Sequence, residues 1–125
     1  MTRFVRVTDV LHLADVAVDG AAMMRDLGLI DSAVARPQAA FAGEAAYPTV
    51  HLKAAALLDS LIRNHGLVDG NKRTAVLSVM FFYLLNGWTL SLGEDDWFDL
   101  AVGVAAGEVE LAKIADTLSG HADQL

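Results

Sequence analysis

The sequence predicts an all-α protein, a compact single-domain helical bundle that spans residues 1–125. Apolar residues recur at helical spacing through most of the chain. The composition is 54% hydrophobic with only two prolines, which favours a folded chain over a disordered one. No segment shows a convincing strand pattern. A chain of 125 residues suits one domain, and such a domain buries about two-thirds of its extended-chain surface.

The first helix is expected within the segment TDVLHLADVAV. Thr8 belongs to the residue types that cap helix N-termini. Val10, Leu11 and Ala14 would then lie near one face of the helix. A turn around residues 19–20 should end it.

The following segments predict two more helices and a loop. GLIDSAVARP indicates a short helix that ends before Pro37, because the residue before a proline avoids the helical conformation. Residues 37–48 contain both prolines and have the composition of a loop, in which Phe41 looks exposed. Thr49 should then cap a long helix that runs to about Asn64.

The second half of the chain predicts three helices. The most apolar of them covers residues 71–86, with Gly87 as its C-terminal stop. Because this helix is apolar on all sides, it is expected in the middle of the bundle. Residues 94–96 are acidic and suit the first turn of a fifth helix. Gly107 separates it from a last helix, residues 108–118.

Composition and charge narrow the classes of function. The net charge is −7, and the nine Lys and Arg residues are scattered, so no basic face for nucleic acid is expected. The chain has no cysteine, which excludes disulfides and thiolate chemistry and fits a reducing cytoplasm. The N-terminus lacks the features of a secretory signal. The most apolar run, residues 75–85, is too short to span a bilayer. The sequence therefore predicts a cytoplasmic protein without a membrane or nucleic-acid partner.

The stretch NHGLVDGNKRTAVL predicts an anion site at the start of the central helix. Lys72 and Arg73 fall in its first turn, where the helix dipole is already positive and each cation costs roughly 0.3–1 kcal/mol. The first N–H groups of a helix lack intrahelical partners. Gly70 permits close backbone approach, and Asn71 can cap or hydrogen-bond. Together these features predict a cradle for a polyphosphate.

Two neighbouring residues add chemistry to the cradle. Asp69 places a single carboxylate next to the cradle. A single carboxylate beside bound phosphates is a common way to hold Mg²⁺. His65 can accept a hydroxyl proton near neutral pH. The set suits phosphoryl or nucleotidyl transfer. Each residue alone also has a structural interpretation, as a turn, a solvated pair or a helix cap; their occurrence at one helix start favours the anion site. His12, His51 and His121 are expected to be structural or solvated.

The residues from 65 to 73, HGLVDGNKR, resemble the signature of the Fic/Doc family, and most closely its death-on-curing (Doc) toxins. The segments GLIDSAVARP, YPTVHLKAAALLDSLIRNH, NKRTAVLSVMFFYLLNGW and AAGEVELAKIADTL resemble Doc segments in the same order. The resemblance covers nearly the whole chain. It implies a compact helical fold with the signature between two central helices, and ATP and Mg²⁺ as cofactors.

The resemblance also implies a role for each residue of the signature. His65 becomes the base that activates a protein hydroxyl, and Asp69 the Mg²⁺ ligand. The remaining residues bind phosphate: Gly70 and Asn71 form the turn, and Lys72 and Arg73 contact the phosphates. The loop around Phe41 could form the flap with which Fic-type enzymes dock a target segment.

Two positions bear on the type of reaction. Fic enzymes that transfer AMP typically read Gly-Asn-Gly-Arg, with another arginine three residues later. This chain has Lys72 and Val76 at those positions, as Doc proteins do. The resemblance therefore implies a kinase that phosphorylates a threonine of elongation factor Tu and arrests translation. The alternatives are AMP transfer to a protein hydroxyl and a catalytically weak partner-binding module. The second is motivated by Gly66, which replaces a proline and is expected to loosen the loop, whereas Leu67 can still bury under it.

Regulation is expected to come from another molecule. Many Fic enzymes inhibit themselves through a helix that carries Ser/Thr-x-x-x-Glu. No Ser or Thr of this chain has a Glu four residues later. The resemblance therefore implies inhibition in trans by a cognate antitoxin, whose disordered tail would fold onto the toxin.

Overall fold

Six α-helices form most of the structure, so the prediction of an all-α fold is confirmed. The computed structural model describes residues 1–125. The helices, numbered in chain order, are α1 (Val7–Val18), α2 (Leu27–Ala35), α3 (Val50–Asn64), α4 (Asn71–Leu85), α5 (Glu94–Ala105) and α6 (Leu111–Ser119). No helix is both long enough and apolar enough to cross a bilayer.

Two short antiparallel strand pairs accompany the helices, although no strand was predicted. Strand β1 (Ala40–Phe41) pairs with β2 (Glu44–Ala45) in a small hairpin. Strand β3 (Trp88–Leu90) pairs with β4 (Ala122–Gln124) and ties the C-terminus to the end of α4. Strands of two or three residues are too short to show a period of two in the sequence.

Of the two helix caps predicted from the sequence, one is confirmed and the other is wrong. Thr49 caps α3 as predicted, and its hydroxyl accepts the Leu52 N–H over 3.1 Å. The prediction of Thr8 as the first cap is wrong. The cap is Arg6, whose N–H donates to the Asp9 carboxylate over 2.9 Å. An acidic side chain three residues into a helix binds back to the cap residue, and this places the cap of α1 two residues earlier than predicted.

Helix α2 ends at Ala35, before Pro37, as predicted. The chain then continues through a 3₁₀ turn, Arg36–Gln38, in which Pro37 is buried. A proline is compatible with the start of a helical turn because the N–H groups there have no intrahelical partner. The turn directs the chain into the hairpin of β1 and β2.

The core is one cluster of 25 buried residues, and α3 lies at its centre. Helix α3 packs against α2, α4, α5 and α6. Residues 54–56 are three consecutive alanines that are fully buried, and their small side chains permit close approach from several sides. The expectation that α4 occupies the middle of the bundle is therefore wrong. Helix α4 buries one face, with Phe82 and Tyr83, but exposes Met80 and Leu84.

Tyr83 illustrates how the core satisfies its polar groups. Its hydroxyl lies 2.8 Å from Nδ1 of His51, and the His51 ring packs edge-on against Trp88. Burial raises the pKa of Tyr83 and lowers the pKa of His51. A protonated phenol and a neutral imidazole therefore share this hydrogen bond, and His51 has the structural role expected from the sequence.

Candidate active site

The loop between α3 and α4, residues 65–70, is called the signature loop below. His65 is the C-cap residue that follows α3, and its backbone is left-handed with φ 56° and ψ 50°. Positive φ is uncommon outside glycine, although histidine is among the residues that adopt it more often. The turn leaves the His65 side chain exposed. The backbone carbonyl of His65 accepts a hydrogen bond from Nε of Arg25.

Helix α4 begins with the free N–H groups that the sequence predicted. Its N-cap is Gly70, with φ 79°. A Cβ atom there would lie 2.8 Å from Cγ1 of Val18, so the position requires glycine for both conformation and space. The backbone N–H groups of Asn71, Lys72 and Arg73 have no partner within the protein. They form the positive end of the helix dipole, which attracts anions.

One cavity of about 460 Å³ brings together all six residues that the sequence predicted for the site. The end of α1 forms its other wall, which sequence reasoning did not find. The lining residues are Ala17, Val18, Asp19, His65, Val68, Asp69, Gly70, Asn71, Lys72 and Arg73. A second cavity of about 420 Å³ is also lined by His65, Asn71 and Lys72, together with Arg63 of α3. His65 therefore borders two open spaces.

The two cations of the site differ in their partners. Lys72 is exposed and has no hydrogen bond or ion pair to the protein. The guanidinium of Arg73 donates one hydrogen bond, over 2.9 Å, to the carbonyl of Ala17 at the end of α1. A guanidinium carries five N–H donors, so this bond fixes Arg73 and leaves donors for a ligand. A cation is also favourable at the C-terminus of α1.

The side chain of Asn71 holds the signature loop instead of facing a ligand. It is 7% exposed, and its amide bonds both polar groups of the Leu67 backbone. Oδ1 accepts the Leu67 N–H over 3.0 Å, and Nδ2 donates to the Leu67 carbonyl over 2.9 Å. Both ends of the Asn71 amide are thus occupied, so the group that it presents to an anion is its backbone N–H.

Asp69 keeps one carboxylate oxygen for a ligand. The residue is exposed, and its Oδ1 accepts the Gly70 N–H over 2.8 Å. No hydrogen bond within the protein involves Oδ2. One exposed carboxylate beside an anion cradle fits Mg²⁺, which is usually held by one or two carboxylates together with substrate phosphates and water.

Gly66 is tightly packed, so the expectation that it loosens the loop is wrong. Its carbonyl accepts the N–H groups of Arg25 and Asp26 over 2.8 and 3.0 Å. A Cβ atom at Gly66 would lie 2.6 Å from Cγ1 of Ile30 and 3.2 Å from the Asp26 carbonyl. Glycine here allows α2 to approach the loop, and Leu67 is buried beneath it as expected, with 3% exposed.

Replacing Gly66 with alanine is expected to lower the free energy of unfolding by about 1–3 kcal/mol, because the added methyl group overpacks the contact with Ile30. Ile30→Ala alone should cost about 2–5 kcal/mol through the cavity that it leaves. The double variant should cost clearly less than the sum, since the new methyl group enters the vacated space. Urea denaturation measures the free energy of unfolding of all three variants. Strictly additive losses would contradict the contact between residues 66 and 30.

The chain is similar in sequence to known proteins of one family. Residues 4–83 match the model of the Fic/DOC family. Toxin Doc of Mycolicibacterium smegmatis is 47% identical over 124 residues, which cover 98% of this chain and 95% of that protein. Protein kinase doc of Escherichia phage P1 is 34% identical over 109 residues, which cover 86% of this chain and 85% of that protein. The chain therefore belongs to the Fic/Doc family.

Proposed function

We propose that the protein is a Doc-type toxin that transfers the γ-phosphate of ATP, with Mg²⁺, to a protein hydroxyl. The observation that carries the proposal is that His65, Asp69 and the free N–H groups of α4 line one cavity. The names of the two relatives, Toxin Doc and Protein kinase doc, support the same reading.

The cradle suits the phosphates of ATP. Three unpartnered N–H groups at the start of α4 would bind phosphate oxygens, and Lys72 would add a mobile positive charge. Arg73 is already fixed by Ala17, so its remaining donors lose little freedom when they bind phosphate. Mg²⁺ held by Asp69 and the phosphates would neutralise charge on the transferring group.

His65 would act as the general base for the acceptor hydroxyl. The hydroxyl oxygen attacks the γ-phosphorus as the bond from that phosphorus to the β–γ bridging oxygen breaks. The hydroxyl proton passes to the neutral imidazole of His65, and ADP leaves with the electron pair of the broken bond. The position of His65 on the rim of two cavities would let a nucleotide and an acceptor segment reach it from different sides.

Two residues favour phosphate transfer over AMP transfer. Val76 stands where AMP-transferring relatives carry a second arginine, and here it is half-buried against the core. Lys72 replaces the second glycine and lines both cavities. The site thus lacks the extra phosphate ligand of the AMP transferases, and its charge is concentrated at the start of α4.

The proposed target is a threonine of elongation factor Tu in the cytoplasm, so that translation stops. This part of the proposal follows from the resemblance to Doc toxins. The hairpin of β1 and β2 is the proposed docking flap: Phe41 at its tip is 85% exposed. Arg36 anchors the base of the flap through Asp59 and the Tyr47 hydroxyl, over 2.6 and 2.9 Å. Inhibition is proposed to come from a cognate antitoxin in trans.

Intact-protein mass spectrometry of elongation factor Tu tests the reaction. After incubation with the protein and ATP-Mg²⁺, we expect a gain of about 80 Da, one phosphate per molecule of target. ATP labelled at the γ position should label the target, and ATP labelled at the α position should not. A gain of one adenylate would overturn the kinase proposal in favour of AMP transfer. If no group is transferred and His65→Ala retains cellular toxicity, the protein is a partner-binding module instead.

A further inference from the structure

The segment between α1 and α2 that covers the signature loop, residues 23–26, is called the strap below. The Val68 N–H donates to the Met23 carbonyl over 2.9 Å. Met24 and Leu67 form an antiparallel bridge. Arg25 contributes its backbone N–H to the Gly66 carbonyl, as described above. The strap thus pairs with the middle of the signature loop along its backbone.

The side chain of Arg25 makes different contacts, at the end of α3. Its Nε donates to the His65 carbonyl over 2.7 Å, and its Nη2 donates to the Asn64 carbonyl over 3.2 Å. The last carbonyls of a helix lack intrahelical partners, and a cation is favourable beside them. The guanidinium fork therefore fixes the two carbonyls on either side of the His65 Cα atom.

The geometry of His65 depends on this support. Its backbone is left-handed, a conformation that costs a non-glycine residue roughly 1–2 kcal/mol and persists only if the surroundings hold it. A catalytic base is commonly oriented by a third group bonded to its ring, whereas the hydrogen bond between His65 and Arg25 is made by the backbone carbonyl of His65. The backbone conformation of His65 therefore sets the direction of the Cα–Cβ bond from which the imidazole projects.

We propose that Arg25 is a positioning residue, whose side chain holds His65 in the orientation needed for proton transfer. This inference rests on the proposed function. Arg25 is exposed, so its truncation opens no cavity in the core. The backbone bonds of the strap to Gly66 and Val68 remain without the side chain. Arg25 is also absent from the lining of the phosphate cavity, so it acts on the reaction through His65.

Steady-state kinetics of the full chain test the proposal. Arg25→Ala is expected to lower kcat by about 10–100-fold through misplacement of the base, with the KM for ATP within about twofold of the original. Arg25→Lys should recover part of kcat, because a lysine can still reach one of the carbonyls. Arg3→Ala is the matched control: Arg3 is also exposed and lies beside Asn86, at the opposite end of α4. It should leave kcat and KM unchanged.

A second measurement separates this inference from the proposed function. In the protein without substrate, the Cα and Cβ chemical shifts of His65 report its left-handed backbone. We expect Arg25→Ala to move them toward averaged values, and Arg25→Lys to move them less. Unchanged shifts, or a kcat equal to that of Arg3→Ala, would overturn the positioning role. If the original protein transfers no phosphate, the proposed function fails, while the shifts still decide whether Arg25 holds His65.

Discussion

Replacing His65 with alanine or asparagine is expected to lower kcat for the proposed phosphate transfer by about 10²–10⁴-fold, because either variant removes the proposed general base. Comparing the two variants distinguishes a loss of activity caused by the missing base from one caused by backbone strain. Asparagine tolerates the left-handed conformation that His65 adopts, and alanine tolerates it less well. If the loss came from the backbone, the asparagine variant would recover activity. We expect both variants to show the same loss.

ATP binding should survive the loss of the base. The proposed phosphate ligands are the N–H groups of α4 with Lys72 and Arg73, and His65 is not among them. Calorimetric titration with ATP-Mg²⁺ should therefore give a Kd within a few-fold of the original protein. His12→Ala is a matched control, since His12 is exposed on α1 away from the cavity. An active His65→Asn protein would show that another group removes the proton.

The helices could be predicted from the sequence because their signals are local. Thr49 and the apolar spacing after it lie within one helix, and the predicted bounds of α3 agree with the structure. The position of α3 in the bundle was less predictable. Hydrophobicity favoured α4 as the central helix, but small side chains at residues 54–56 let several helices approach α3. Packing depends on side-chain volume as well as on hydrophobicity.

The signature residues that line the candidate site were predicted, but the wall formed by the end of α1 and the hydrogen bonds within the site were not. The six residues of the motif are contiguous or nearly so, and a helix start places them together. The bond from Arg73 to Ala17 joins residues 56 positions apart, and the bond from Arg25 to His65 joins residues 40 positions apart. Hydrogen bonds between residues so far apart in the chain leave no local pattern in the sequence from which they could be predicted. The role of Gly66 was misjudged for the same reason, since the contact with Ile30 exists only in the folded chain.

Asn71→Ala is expected to have the second large effect, on both stability and activity. The substitution leaves the N–H and the carbonyl of Leu67 without their partner in a buried loop. Each unpaired group costs about 1–3 kcal/mol. The same bonds set the spacing between His65 and the start of α4, so the released loop should also lower kcat for transfer by about 10²-fold. Urea denaturation and steady-state kinetics measure the two effects.

Asn86→Ala separates the two effects, because Asn86 holds the other end of α4 in a similar way. Its side chain accepts the Arg3 N–H over 2.8 Å and donates to the carbonyls of Arg3 and Phe82 over 2.9 and 2.8 Å. Its loss should lower the free energy of unfolding by less than the loss of Asn71, because its bonds to Arg3 lie at exposed positions where water can replace them. It should leave kcat and KM unchanged below the melting temperature. If both asparagine variants lost activity in proportion to stability, Asn71 would have no role beyond folding. A loss of activity confined to Asn71→Ala would show that the position of the signature loop limits catalysis.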